Sequence, residues 1–449
     1  MTAAVTVRSR RILTPDGWVD GQLELRDGLI AAVVANGSGD PASTAESPIV
    51  DIPDDCVVLP GLVDSHVHVN EPGRTEWEGF ATATAAAAAG GVTTIADMPL
   101  NSIPATVDVA ALDVKRAAAA GQLAVDVAFW GGAVPGNAGA LRALHDAGVV
   151  GFKCFLIESG VEEFPPLDPV GLRAAMTAIA AFDGVLIAHA EDPEVIAHAT
   201  PPHGRRFADY LSSRPDAAEV DAIADLLAAT AETSCRTHIV HVSSAQSLPV
   251  LAAAKAAGLP VTAETCPHYL TLAAEDVPDG ATQFKCCPPI RSEANRQGLW
   301  QGLADGVLDC VVSDHSPCLP AMKHLETGDF GEAWGGVASV QLSLPVMWTE
   351  AASRGFTLTD LCRWMAAAPA ALLGLPDRGE IRPGARADLA IFAPDETFVV
   401  DRGKLLYRHP ISPYHGRTLT GVVRQTWLAG APVDIAARRG ELVDARRMA

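Results

Sequence analysis

The 449-residue chain sets 54 Asp and Glu against 33 Lys and Arg, a formal net charge of -21, and is 49% hydrophobic. Such a surface repels nucleic acid and anionic membranes, so neither is an expected partner, while the length and apolar content suffice for a large core with a smaller unit beside it. No apolar run approaches the roughly 20 residues that cross a bilayer, the N-terminus "MTAAVTVRSRRILTPDGW" lacks a signal-peptide stretch, and the nine cysteines are scattered without paired spacing, which predicts a cytoplasmic protein with reduced, mostly buried thiols.

Residues 1–57 open with "VRSRRILTPDGWVDGQLELRDGLIAAVVA", whose period-two alternation and Gly and Pro turns predict hairpins. From 58 to 379 the pattern changes. Eight short β-rich segments ("GLVDSHVHV", "VTTIADMP", "AVDVAFWGG", "VGFKCFLI", "GVLIAHAED", "THIVHVSS", "PVTAETCPHYL" and "LDCVVSDHSP") alternate with Ala- and Leu-rich helical stretches, the first being "EWEGFATATAAAAAG" from Glu76, and most of them end at Gly. Strict strand–helix alternation predicts parallel strands with right-handed crossovers, and eight such units close into a (β/α)8 TIM barrel. Period-two alternation returns in "EIRPGARADLAIFAPDETFVV" and "GVVRQTWLAGAPV", so residues 380–449 are expected to complete, with a tail, a small β-sandwich domain built from both chain ends.

On that barrel the polar residues fall at one mouth. His66 and His68 end the first strand, Lys153 lies in the fourth, His189 ends the fifth, His241 the sixth and Asp314 the eighth. His66 and His68 are two apart, so their imidazoles point the same way. A lone histidine in an apolar strand is commonly a satisfied core residue, but six metal-competent groups at one barrel mouth would each need separate buried partners if they were only structural. Lys153 is the odd member, because an ammonium is repelled by a cation. Addition of carbon dioxide would turn it into a carbamate, a carboxylate with two oxygens that can bridge two metals. His145, His198, His203, His324 and His409 have no such placement.

"DSHVH", Lys153, His189, His241 and "SDHSP" together resemble the amidohydrolase superfamily, in its cyclic amidohydrolase branch of dihydroorotase, dihydropyrimidinase or hydantoinase, and allantoinase. "HVHVNEPGRTEWEGF", "ADMPLNS", "SGVEEFP", "FKCCPPIR", "SDHSPC", "GGVASVQLSLPV" and "SPYHGRT" are most similar to the allantoinase family, and the resemblance runs nearly the full chain. It implies two divalent ions per subunit. His66 and His68 would bind one and His189 and His241 the other, with N6-carboxylated Lys153 bridging both and Asp314 on the first. Imidazole and carboxylate ligands favour zinc and also accept iron, cobalt, nickel or manganese. The implied reaction is hydrolysis of the hydantoin ring amide of allantoin to allantoate, with Asp314 as base and then acid toward a metal-activated water. Relatives are often homotetramers, which sets the expectation of a homo-oligomer.

Departures from the sister families narrow the substrate. Dihydroorotases resembling this chain place an Arg two positions after the second histidine to clamp a carboxylate. Here that position is Asn70, suited to a neutral ureide. Dihydropyrimidinases place a Tyr five positions past the bridging Lys to steady the oxyanion, whereas this chain has Glu158, followed by Ser159 as a candidate donor. Asn101 is a second candidate substrate contact or a turn residue, and His315 either orients substrate or braces its strand. A hydantoinase- or dihydropyrimidinase-like hydrolase is the alternative. A noncatalytic scaffold homologue fits poorly, since all six ligand positions are filled.

Overall fold

Apolar β-branched runs buried on both faces dictate a central parallel sheet. In the computed structural model, which describes residues 4–37 and 48–444, the eight barrel strands are β1 (Leu62–Val67), β2 (Val92–Asp97), β3 (Asp126–Phe129), β4 (Phe152–Phe155), β5 (Val185–His189), β6 (Arg236–Ile239), β7 (Val261–Thr265) and β8 (Cys310–Val311). Every residue of β1 to β5 is buried. Neighbours pair in parallel, with Gly131 and Gly132 carrying the join between β3 and β4. Glycine is required there: a Cβ on Gly131 would meet Leu144 at 2.7 Å and one on Gly132 would meet Phe164 at 2.5 Å. A parallel bridge from Val67 to His315 closes the ring. Buried Asp64 reinforces the closure, since its carboxylate accepts the backbone N–H of Ser313 across the β1–β8 seam at 3.2 Å.

Helices follow the strands as the sequence predicts, with starts set by local caps. Asp108 accepts from Ala111 N to begin the helix Val109–Ala119, Asp168 accepts from Gly171 N to begin Pro169–Ala180, and Ser292 accepts from Asn295 N to begin Glu293–Ala304. Two boundaries differ from expectation. The helix after β1 runs Phe80–Ala89 instead of from Glu76, because Gly79 at φ 119° turns the chain outside helical space. Past β7, "PHYL" leaves the strand and forms a one-turn helix with Pro267 at its start, where proline's missing N–H costs nothing.

The two chain ends meet in one sheet. Val57–Pro60 pairs with Val5–Thr14 on one side and antiparallel to Leu389–Val399 on the other, and the sheet continues through Gly17–Arg26 and Leu29–Ala35 at one edge and Thr418–Leu428 and Ala431–Pro432 at the other. Val7, Leu23, Val58, Leu389 and Trp427 share its separate core. Parts of the expected end segments (1–3, 38–47 and 445–449) lie outside the described residues. The C-terminal tail does not stay with this sheet. It returns to the barrel, where Gly440 N donates to Leu123 O, and Val443 N to Val127 O at 2.8 Å beside β3. A buried ion cluster welds the two units: Arg378 reaches Asp126 of β3 at 2.7 Å and Asp388 at 3.4 Å, and Arg386 reaches the same two carboxylates at 2.8 and 3.2 Å.

Candidate active site

The C-terminal ends of the barrel strands surround a cavity of about 240 Å³ lined by His66, His68, Lys153, His189, His241 and Asp314. All six side chains are buried, at 1–7% exposure. They form two groups. His66 Nε2 and His68 Nε2 lie 3.2 and 3.5 Å from Asp314 Oδ1, and the ligand atoms of these three residues all fall within 4.8 Å of one another. On the other side His189 Nδ1 and His241 Nε2 face each other at 3.0 Å. The Lys153 ammonium makes no hydrogen bond or ion pair among the described residues and sits 4.9 Å from the centre of the Phe155 ring.

Carboxylates behind the ring orient these groups. Glu264 on β7 lies 2.6 Å from His66 Nδ1, so Nδ1–H donates and the Nε2 lone pair is left facing Asp314. The same carboxylate takes His238 Nε2 at 3.0 Å, and Thr262 holds His238 Nδ1 at 2.7 Å. Glu191 does for His189 what Glu264 does for His66, accepting from Nε2 at 2.8 Å and pairing with Arg214. Asn101 Nδ2 lies 3.4 Å from His68 Nδ1 while its Oδ1 has no partner among the described residues. Turning that amide over puts Oδ1 against Nδ1–H and frees the His68 Nε2 lone pair on the Asp314 side.

Electrostatics match a cation-binding donor set. Burial pushes His68 down to about 4 and also lowers His189 and His241, the latter well below the usual range, so these imidazoles are neutral with lone pairs available. Burial would raise Asp314, but His66 with the neighbouring imidazoles outweighs it and holds the carboxylate well below its ordinary range. Burial likewise draws Lys153 down to about 8, toward the free amine. Neutral imidazoles, an ionised carboxylate and an unpartnered buried lysine are a poor set for an apolar core and a fitting one for divalent metal. Backbone strain concentrates here as well, with Asn70, Asn101, His241 and Asp314 all left-handed at φ 67, 62, 39 and 44°.

The four expected substrate contacts divide. Asn101 lines the cavity. Ser159 also lines it, but its hydroxyl donates to Phe164 O at 2.7 Å within its own loop, so its one proton is spent. Asn70 is behind the wall: it is 1% exposed, is not among the cavity-lining residues, and donates to Pro317 O at 3.2 Å. His315 braces instead of facing the cavity, since its Nδ1 accepts Ser339 N at 3.1 Å, its Nε2 lies 3.5 Å from buried Glu78, and its backbone O accepts His68 N at 2.8 Å. Sequence reasoning missed Glu264, Glu191, Arg214, Lys285, His238 and Trp334. Glu264 and Glu191 had a signal, each being an acid in or just after an apolar strand.

The chain matches the Amidohydrolase family over residues 57–433. It is 54% identical over 426 residues to a Streptomyces avermitilis protein named allantoinase, covering 95% of this chain and 94% of that one. It is 48% identical to a protein of the same name from Saccharomyces cerevisiae, covering 84% and 83%. L-hydantoinase (dihydropyrimidinase) from Arthrobacter aurescens superposes with a TM-score of 0.88 at 31% identity, covering 98% of each chain.

Proposed function

The chain belongs to the amidohydrolase family, and on that premise we propose that it hydrolyses the hydantoin ring amide of allantoin to open-chain allantoate. The observation that carries this is the single cavity into which His66, His68, Lys153, His189, His241 and Asp314 converge, in a chain 54% identical to a protein named allantoinase. His66, His68 and Asp314 would hold one divalent cation, His189 and His241 a second, and Lys153, carboxylated on Nζ, would bridge them. Zinc suits this set, and iron, cobalt, nickel or manganese are compatible. Such ions, when bound, lower the pKa of a shared water and polarise the scissile carbonyl.

The chain's own groups do the rest. Lys153 Nζ, drawn toward the free amine by burial, can attack carbon dioxide and shed a proton, replacing an ammonium the cations would repel with a carboxylate. Asp314, ionised and held by Ser316 Oγ at 2.7 Å, takes a proton at a carboxylate oxygen on attack and returns it to the leaving ring nitrogen. Glu264 and Glu191 keep His66 and His189 in the tautomers that present lone pairs inward. Among the described residues no helix is long and apolar enough to cross a membrane. A cytoplasmic location, expected from the sequence, and a homotetramer, which rests on the family resemblance, belong to the same reading.

Turnover of allantoin, hydantoin, dihydrouracil and dihydroorotate by the purified protein, with total metal by mass spectrometry, tests it. Preferred turnover of allantoin with two metals per chain is the expected result. Preference for hydantoin or dihydrouracil would move the enzyme to the hydantoinase side of the branch, and absence of metal and turnover would leave a scaffold.

A further inference from the structure

We infer that Lys285 and Arg214 form a carboxylate-binding wall that receives the anionic end of the ring-opened product on its way out of the active site. The inference rests on the ring-opening reading above. Two cavities carry it. The one holding the six convergent residues, about 240 Å³, and a neighbouring one of about 310 Å³ share Arg214, Lys285 and Cys287 in their linings.

Lys285 in that shared wall is short of partners, and Arg214, although paired with Glu191, has donors to spare. Lys285 is 7% exposed, yet among the described residues its ammonium donates only to Gly331 O, at 3.3 Å, and otherwise lies 5.1 Å from the centre of the Tyr210 ring. An ammonium has three protons to donate. Arg214 spends Nη1 on Glu191, and no other nitrogen of its guanidinium has a side-chain or backbone acceptor among the described residues. Keeping Lys285 in a largely buried wall beside Arg214 and Lys323 is costly, and burial, opposed by Cys287 and aided by those two cations, holds it below the usual lysine range. A neutral cyclic ureide offers carbonyl acceptors but no negative charge to offset this cost.

Its hydrolysis product does. Water's oxygen adds to the ring carbonyl carbon, the C–N bond breaks, the ring nitrogen takes one proton, and the new carboxylic acid loses another at neutral pH. The one charge that appears is a carboxylate. In a chain of net charge -21, Lys285 and the open guanidinium nitrogens of Arg214 are the groups beside the reaction cavity that such an anion would seek, on the side of a lining that also carries Glu158 and Glu332. The wall therefore favours product over substrate and passes it from the reaction cavity to the neighbouring one.

The test compares wild type, Lys285→Met and Lys285→Arg by product inhibition of allantoin turnover and by calorimetric binding of allantoate, with acetate and sulfate as control anions. Lys285→Met is expected to raise the ratio of the allantoate inhibition constant to the allantoin KM at least tenfold, and Lys285→Arg to restore it to within about threefold of wild type. Equal rises in both constants would mean that Lys285 merely shapes the cavity and would overturn the inference. So would acetate or sulfate competing as well as allantoate, which would make this an unselective anion patch. The two assays separate the two readings: a wild type that fails to turn over allantoin refutes the proposed reaction, whereas unchanged allantoate affinity by calorimetry in Lys285→Met refutes the wall.

Discussion

His66 Nδ1 and Glu264 Oε1 lie 2.6 Å apart, both side chains 1% exposed, so one carboxylate on β7 sets the tautomer of an imidazole on β1. Glu264→Gln keeps the shape but offers one acceptor where His66 and His238 both donate. Metal affinity is expected to fall 10- to 100-fold, read by chelator competition. Wild-type affinity in this variant would show that the contact does not orient a ligand.

The same residue predicts a pH dependence. Burial opposes ionisation of Glu264, but His66 and His238 outweigh it and hold the carboxyl at about 2, below its ordinary 4.5. A folded value below the unfolded one means stabilisation that is complete above about 4.5 and fades as pH falls toward 2. The stability gap between metal-free wild type and Glu264→Gln, on the order of 3 kcal/mol at pH 7, should therefore shrink between pH 5 and 3 in urea unfolding. A gap constant across that range would contradict the ionised, doubly bonded state.

Lys153→Ala should lose bound metal and activity together, and a short-chain carboxylic acid at high concentration should restore part of both by supplying the missing bridge. Full activity in the untreated variant would remove the two-metal arrangement.

Asn70, expected from its position to contact a neutral ureide, is instead buried against Pro317, and that placement sets the outcome for Asn70→Arg. A guanidinium cannot fit at a 1%-exposed, left-handed position, so the variant should lose several degrees of Tm and bound metal, with no gain of dihydroorotate hydrolysis. Asn70→Gly, free to adopt φ 67°, should lose mainly the Pro317 hydrogen bond, about 1 kcal/mol. A folded Arg variant with shifted specificity would return Asn70 to the substrate pocket.

Asp126→Ala removes a carboxylate shared by Arg378 and Arg386 at the start of β3, the barrel end away from the cavity. Breaking such a buried cluster costs about 3–5 kcal/mol. Thermal unfolding should show this loss while KM for allantoin stays within twofold, since no cavity residue moves. A stability change under 1 kcal/mol would mean that the remaining carboxylate Asp388 satisfies both arginines.

Much of this was legible in one dimension. Alternating β-rich and Ala-rich segments determined the barrel, because hydrophobic periodicity is a local property that burial merely reads out. A strand's end and the direction of its side chains are local too, which is why His66, His68, Lys153, His189, His241 and Asp314 were placed at one mouth. What lies behind that ring was not local. Glu264 is 198 residues from the imidazole it orients, and Arg214 is brought back to Glu191 by an intervening segment that carries the helices Pro193–His198 and Phe207–Ser212. Asn70 and Asn101 are both asparagines on strand-end loops with positive φ, and their sequences do not tell them apart. Only the packed structure does: Pro317, 247 residues downstream, lies against Asn70 and seals it off, whereas Asn101 stays on the cavity side against His68. Chain periodicity determines which side chains point toward a barrel mouth; which of them reach the cavity depends on loops from distant strands competing for the same space, and that competition is settled only when the barrel closes.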